Sequence, residues 1–87
     1  TRDYITDKGY GDCYTHGTGH GLGLEIHTIP RFSPKSEEVL EENNVMTIEP
    51  GIYIAGWGGV RIEDDVIIKD NGCEILNKTT KDIIEIN

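Results

Sequence analysis

Val45-Met46-Thr47-Ile48-Glu49-Pro50-Gly51, then Ala55-Gly56-Trp57-Gly58-Gly59, then Val60-Arg61-Ile62-Glu63-Asp64-Asp65 is the stretch whose reading decides the fold. In the first segment Met46 and Ile48 fall on one face, and Val45, Thr47 and Glu49 on the other; further on, Val60 and Ile62 oppose Arg61 and Glu63 in the same way. The glycine-rich segment between them is a strong turn signal. Together they read as an antiparallel hairpin, Val45–Ala55 against Gly59–Lys69. With the turn centred on Gly56, paired residues have numbers summing to 112, and Glu49 faces Glu63. Centring it on Trp57 leaves the two diagonal, still on one face. Directly opposed side chains have Cβ atoms about 4.5–5.5 Å apart, and like charges there destabilise. Two carboxylates about 4 Å apart repel by roughly 4 kcal/mol at an effective dielectric of about 20. Arg61, on the same face, offsets part of this, and a bound cation would offset more. A solvated acidic strand face is the plainer reading of Glu63-Asp64-Asp65. It suits Glu49 poorly, because Glu49 sits between Ile48 and the stiff Pro50-Gly51 pair.

Upstream lies His16-Gly17-Thr18-Gly19-His20-Gly21-Leu22-Gly23. Two histidines four apart can share a helix face in a zinc site. Here Gly17, Gly19, Gly21 and Gly23 argue against a helix, since each glycine costs about 1 kcal/mol relative to alanine in a helix interior. The run reads as strand leading into loop, with glycines that let the backbone pass close to another chain segment, a substrate or a metal. A glycine-rich surface turn carrying two incidental histidines is the alternative. Imidazole plus carboxylate is a ligand set for divalent transition metals.

Three segments together, His16-Gly17-Thr18-Gly19-His20-Gly21-Leu22-Gly23-Leu24-Glu25-Ile26-His27, Thr47-Ile48-Glu49-Pro50-Gly51-Ile52-Tyr53 and Gly59-Val60-Arg61-Ile62-Glu63-Asp64, carry a resemblance to the prolidases and aminopeptidase P enzymes, the pita-bread metallopeptidases. Glu49 follows His20 by 29 residues and Glu63 follows Glu49 by 14. The methionine aminopeptidases share the fold and the His/Glu/Glu ligands, but their last ligand usually lacks the Gly-Val-Arg-Ile-Glu-Asp setting. The resemblance spans nearly the whole chain. It implies an α+β fold, the C-terminal half of a pita-bread fold, mainly antiparallel sheet with short helices.

It also implies roles. His20 and Glu49 would each bind one metal of a two-metal centre, and Glu63 would bridge both. Glu49 would double as a proton shuttle. His16 and His27 would line the site and hydrogen-bond substrate as the tetrahedral intermediate forms, Arg61 would fix carboxylates or substrate, and Tyr53 would line the pocket. The implied reaction is hydrolysis of the bond before proline in Xaa-Pro peptides, with two manganese, cobalt or zinc ions. The family uses five protein ligands, two of them aspartates well upstream of the first histidine. Residues 1–87 hold three, so they read as the C-terminal part of a metallopeptidase catalytic domain, with the upstream half missing and the isolated chain inactive. The full-length enzyme is expected to be a homodimer acting on proline-containing peptides, as a dipeptidase or an aminopeptidase. A pita-bread binding module without peptidase activity, or a creatinase-like hydrolase, is the other class of function. Retention of His20, Glu49 and Glu63 together argues against it. Thr28 stands where the family commonly has Glu, and Asn43 where Gly is common; Asn tolerates the left-handed backbone such a Gly would adopt.

The chain has 8 basic and 16 acidic residues and a formal charge of −8, which argues against nucleic acid and anionic membranes as partners. No apolar run spans a bilayer and no secretory signal is visible. Cys13 and Cys73 form no paired motif and read as reduced, partly buried thiols in a cytoplasmic protein. Eighty-seven residues make one domain at most, burying about 60–65% of the unfolded surface, so a piece of a larger fold should expose apolar area, and an exposed sheet edge would invite a second copy. Arg2–Lys8 reads as a helix stopped at Gly9 or Gly11, and Cys13–His16 as a strand. Leu22–His27 reads as extended, Pro30–Pro34 as a loop, and Ser36–Glu42 as a short helix capped by Ser36. Asp70-Asn71-Gly72 is a turn before a strand at Cys73–Leu76, and Asp82–Ile86 reads as strand or short helix. Met46 is expected in the core, and Trp57 either packed on its own hairpin or acting as a lid.

Overall fold

The computed structural model describes residues 1–87. Helix α1 (Arg2–Asp7) leads through a 3-10 turn at Gly11–Cys13 to seven strands: β1 (Gly19–Gly21), β2 (Thr28–Phe32), β3 (Val45–Ile48), β4 (Gly51–Ile54), β5 (Gly58–Arg61), β6 (Asp64–Lys69) and β7 (Gly72–Ile75). Five strands form an antiparallel sheet in the order β2-β1-β3-β6-β7, and β4 with β5 forms a second, two-stranded sheet. The architecture is α+β and mainly antiparallel, as the sequence suggests.

The decisive hairpin keeps one register and breaks in its middle. Val45 pairs Ile67, Ile48 pairs Asp64, Gly51 pairs Arg61 and Ile54 pairs Gly58, all with numbers summing to 112. The ladder is interrupted at Glu49-Pro50 and Ile62-Glu63, so the expected single hairpin is two sheets sharing a joint. Pro50 has no N–H to give a ladder, and its carbonyl instead accepts the Ile62 N–H at 3.3 Å across the joint. The turn at the tip uses Gly56 at φ 74°, where a side chain would be strained.

Helix α1 stops where expected, with Gly9 at φ 92°. Asn43 does adopt the left-handed backbone, at φ 72°. Strand β7 follows the Asp70-Asn71 turn, with Lys69 paired to Gly72. Other expectations are corrected. Cys13–His16 is not a strand: the Cys13 and Tyr14 N–H groups bond back to Tyr10 and Gly11 as a 3-10 turn. The Tyr14 and His16 carbonyls, which a ladder would have used, go to Arg2. Leu22–His27 bends rather than extends, with Gly23 N–H closing on the Glu25 carbonyl at 3.2 Å, and the strand falls at Thr28–Phe32 across the expected loop. Pro30 is tolerated because β2 is an edge strand. Ser36–Glu42 forms no helix. Its seven residues have no face to bury, with Val39 82% exposed, and so short a segment does not repay helix nucleation. The Ser36 hydroxyl goes to the Glu38 carboxylate, not to a backbone cap. Asp82–Ile86 has no regular structure, and Cys73 is exposed rather than partly buried. Trp57 is 83% exposed at the hairpin tip, so most of its ring stands in solvent.

The core is thin. Met46, Val66 and Tyr14 are its buried hydrophobic side chains, with Thr47 beside them, and only 6 of 87 residues are buried. The radius of gyration is 14.4 Å, against about 12 Å for a self-contained domain of this length. Leu24, Val39, Ile83 and Ile86 stand in solvent, so the molecule carries apolar area that these residues do not cover themselves.

Candidate metal centre

His20 is placed by crowding. It sits on β1, between β2 and β3, flanked by Gly19 and Gly21. A Cβ on Gly21 would lie 2.5 Å from the Ile29 carbonyl oxygen, and one on Gly19 would collide with the Thr47 carbonyl. Glycine at both positions lets β1 enter so narrow a slot. β1 and β3 share a single paired position, Gly21 with Met46. Buried Thr47 supplies what the ladder lacks: its Oγ1 accepts the His20 N–H at 3.1 Å. Glu49 follows β3 and donates its N–H to the Thr18 carbonyl at 2.6 Å, which ties it to the strand that carries His20.

The His20 ring is oriented by a 2.8 Å hydrogen bond from Nδ1 to the Gly21 carbonyl. A carbonyl only accepts, so Nδ1 carries the proton and Nε2 presents its lone pair. Nε2 lies 3.3 Å from Glu49 Oε2. Two lone pairs at that distance repel unless a proton or a cation lies between them. Glu63 stands at the joint, facing Glu49 in the shared register. Partial desolvation, then the Glu49 charge, raises the Glu63 carboxyl above its ordinary value, while Arg61, 3.5 Å away, pulls it down. A ring nitrogen fixed by a backbone carbonyl and two mutually repelling carboxylates fit a divalent cation in donor chemistry and orientation. They supply one wall only: no three histidine, cysteine, aspartate or glutamate side chains close on one point as a full ligand set.

A groove runs past this wall. One side is lined by His16, His20, His27, Arg31 and Glu49, the other by His20, His27, Thr47, Glu49, Arg61, Glu63 and Asp65. Six of the seven residues singled out in the sequence, His16, His20, His27, Glu49, Arg61 and Glu63, therefore line these two adjoining sides; Tyr53, expected to line the pocket, lines neither and leans on the His16 ring instead. The His27 ring leans on His20, with centroids 4.4 Å apart. His16 is held between Tyr14 at 5.3 Å and Tyr53 at 5.6 Å, and its Nδ1 bonds the Gly17 carbonyl at 2.7 Å. Its Nε2 is buried with no partner. With Nδ1–H already committed, Nε2 accepts from a neutral ligand, and it donates to an oxyanion only when protonated.

Sequence reading missed Arg31, Thr47 and Asp65. Arg31 pairs with His20 across the β1–β2 ladder, which brings a cation to the same groove. Reading Thr28–Phe32 as a strand opposite His20 would have found it, but Pro30 made that segment look like a loop.

The model of metallopeptidase family M24 matches residues 1–70. A Xaa-Pro dipeptidase of Pyrococcus furiosus is 54% identical over 83 residues, covering 95% of this chain and 24% of that protein. Among solved structures, a Xaa-Pro dipeptidase from Bacillus anthracis aligns with a TM-score of 0.94 and 56% identity, over 97% of this chain and 24% of its own. The prolidase from Pyrococcus furiosus aligns with a TM-score of 0.88 and 56% identity, over 92% of this chain and 24% of its own. The shared architecture is the C-terminal part of the pita-bread fold. The chain spans 24% of the length of these relatives, and none of its helices is long and apolar enough to cross a membrane.

Proposed function

The chain belongs to metallopeptidase family M24, and on that premise we propose that the whole protein is a metal-dependent Xaa-Pro dipeptidase in which residues 1–87 form the C-terminal part of the catalytic domain. The observation that carries the reading is the His20 Nε2–Glu49 Oε2 contact at 3.3 Å with Glu63 facing Glu49. His20, Glu49 and Glu63 would hold two divalent ions, together with ligands from outside these residues. When bound, the ions would supply an activated water nucleophile and polarise the scissile carbonyl.

The protein side chains do the rest. Glu49 borders both faces of the groove, where its carboxylate receives a proton from the nucleophile and returns it to the leaving amine. His16 Nε2, buried and unpartnered, and the His27 ring meet the substrate amide as it becomes tetrahedral. Arg61 holds Glu63 in place. An Xaa-Pro bond has no amide N–H, so the groove needs no acceptor for one. Arg31, opposite His20, offers a guanidinium to the free carboxylate of a short substrate, and this favours a dipeptidase over an aminopeptidase for long chains.

The test uses the whole protein with manganese, cobalt or zinc, assayed on Xaa-Pro dipeptides, Xaa-Ala dipeptides and longer Xaa-Pro peptides. Metal-dependent turnover of Xaa-Pro dipeptides, well above the other two, is expected, and Arg31→Met should raise KM for dipeptides more than for longer peptides. A protein that binds no transition metal and turns over none of these substrates would instead be a binding module on the same fold. Residues 1–87 alone, holding one wall of the centre, should show no turnover.

A further inference from the structure

We propose that Arg2 is a positioning residue for His16, acting through the backbone and through the Tyr14 ring. This rests on the peptidase reading above for what His16 does, but the contacts themselves stand apart from it. The segment Tyr14–His16 belongs to no ladder, and its carbonyls have no strand to bond. In an extended segment, the carbonyls of alternate residues point the same way. One guanidinium captures both: Arg2 Nη1 donates to the Tyr14 carbonyl at 2.9 Å and Nη2 to the His16 carbonyl at 3.1 Å. The same guanidinium lies 4.4 Å from the Tyr14 ring centroid. Tyr14 is 2% exposed and its hydroxyl bonds the Thr18 hydroxyl, so its ring is fixed at both ends. That ring meets the edge of His16 at 78°.

Each link is chemically specific. Only a planar fork of donors spans two carbonyls while stacking on an aromatic face. A lysine ammonium reaches one carbonyl and leaves the other open. No other side chain hydrogen-bonds the His16 backbone, and the His16 ring bonds only its neighbour's carbonyl while it packs between Tyr14 and Tyr53. Helix α1 buries none of its residues, and Arg2 is its one side chain that hydrogen-bonds beyond the helix. Arg2 thereby determines where the unpartnered His16 Nε2 sits in the groove.

The competing reading makes Arg2 a plain anchor for α1, and a double-mutant cycle separates the two. The whole protein would be made as Arg2→Met and Arg2→Lys, each with and without His16→Ala. In metal-free protein, Arg2→Met should shift the His16 ring resonances and leave those of His20 and His27 in place, which also shows that the variant is folded. Arg2→Lys should shift them part of the way. With metal bound, Arg2→Met should leave metal stoichiometry unchanged and lower kcat/KM by roughly tenfold, and by nothing further once His16 is alanine. Unmoved His16 resonances in both variants, or an equal loss with and without His16, would overturn the proposal. If the unmutated protein hydrolyses no Xaa-Pro dipeptide, the functional reading fails instead, and the ring resonances still decide the role of Arg2.

Discussion

Replacing Thr47 by valine should loosen the strand that carries His20, although valine is the more apolar residue at a buried position. Thr47 is 2% exposed, and its hydroxyl accepts the His20 N–H at 3.1 Å. Valine keeps the shape and removes the acceptor. The lost bond is worth about 1 kcal/mol net, and a buried N–H left without a partner costs about 1–3 kcal/mol. The His20 backbone is only partly buried, so the lower part of that range applies, about 1–2 kcal/mol. Serine is the control: it keeps the acceptor and gives up one methyl group, worth about 0.8 kcal/mol. Around this point β1 and β3 are otherwise joined by one paired position, the Leu22 N–H to Val45 carbonyl bond at 2.9 Å and the Glu49 N–H to Thr18 carbonyl bond at 2.6 Å. The penalty should therefore be local. Amide hydrogen exchange on the whole protein reads it directly: relative to the unmutated protein the His20 amide should exchange roughly tenfold faster in Thr47→Val, since about 1.4 kcal/mol is a factor of ten, and at most about fourfold faster in Thr47→Ser. Equal protection of His20 in the two variants, or greater protection in the valine variant, would refute this account of how His20 is held.

Four further outcomes follow from the geometry. In metal-free protein the Glu63 carboxyl titrates above its ordinary value of 4.5, so the folded state binds more protons than the unfolded one between that value and the raised one. Stability should then fall as pH rises through that window, and Glu63→Gln should flatten this part of the pH–stability curve; a curve unchanged by the substitution would contradict it. The Lys81 Nζ–Asp64 Oδ2 pair at 3.1 Å leaves Lys81 44% exposed, so Lys81→Met should cost under about 1 kcal/mol, with a difference that shrinks in high salt during thermal unfolding. Asn43→Ala should cost about 1 kcal/mol because its φ of 72° is left-handed, whereas Asn43→Gly should be nearly neutral by the same measurement. Glu49→Gln should lower the metal content of the whole protein, measured by elemental analysis, because one charge of the facing pair is lost.

The central register was legible in the sequence because alternation and the glycine-rich tip constrain each other. Once Gly56 is the centre, every pair from Val45–Ile67 to Ile54–Gly58 is fixed, and Glu49 must face Glu63. The break at Pro50 was not legible as a change of sheet, because periodicity continues through it. Helix α1 and the Asp70-Asn71 turn depend on local chemistry and were readable for that reason. Ser36–Glu42 had good cap residues but no apolar stripe, and local preference did not make a helix without a surface to pack on. At the candidate site, His20, Glu49 and Glu63 stood out through the resemblance their motifs carry to the family. Arg31, Thr47 and Arg2 did not, since each reaches its place through a partner distant in sequence: His20 across a ladder, His20 across a missing ladder bond, and Tyr14 and His16 across a turn.

The most direct measurement is an anomalous difference map from crystals of the whole protein grown with manganese. A peak should lie about 2.0–2.3 Å from His20 Nε2 or from a carboxylate oxygen of Glu49, with Glu63 bound to the same centre. Manganese bound elsewhere, with His20, Glu49 and Glu63 left uncoordinated, would contradict the account.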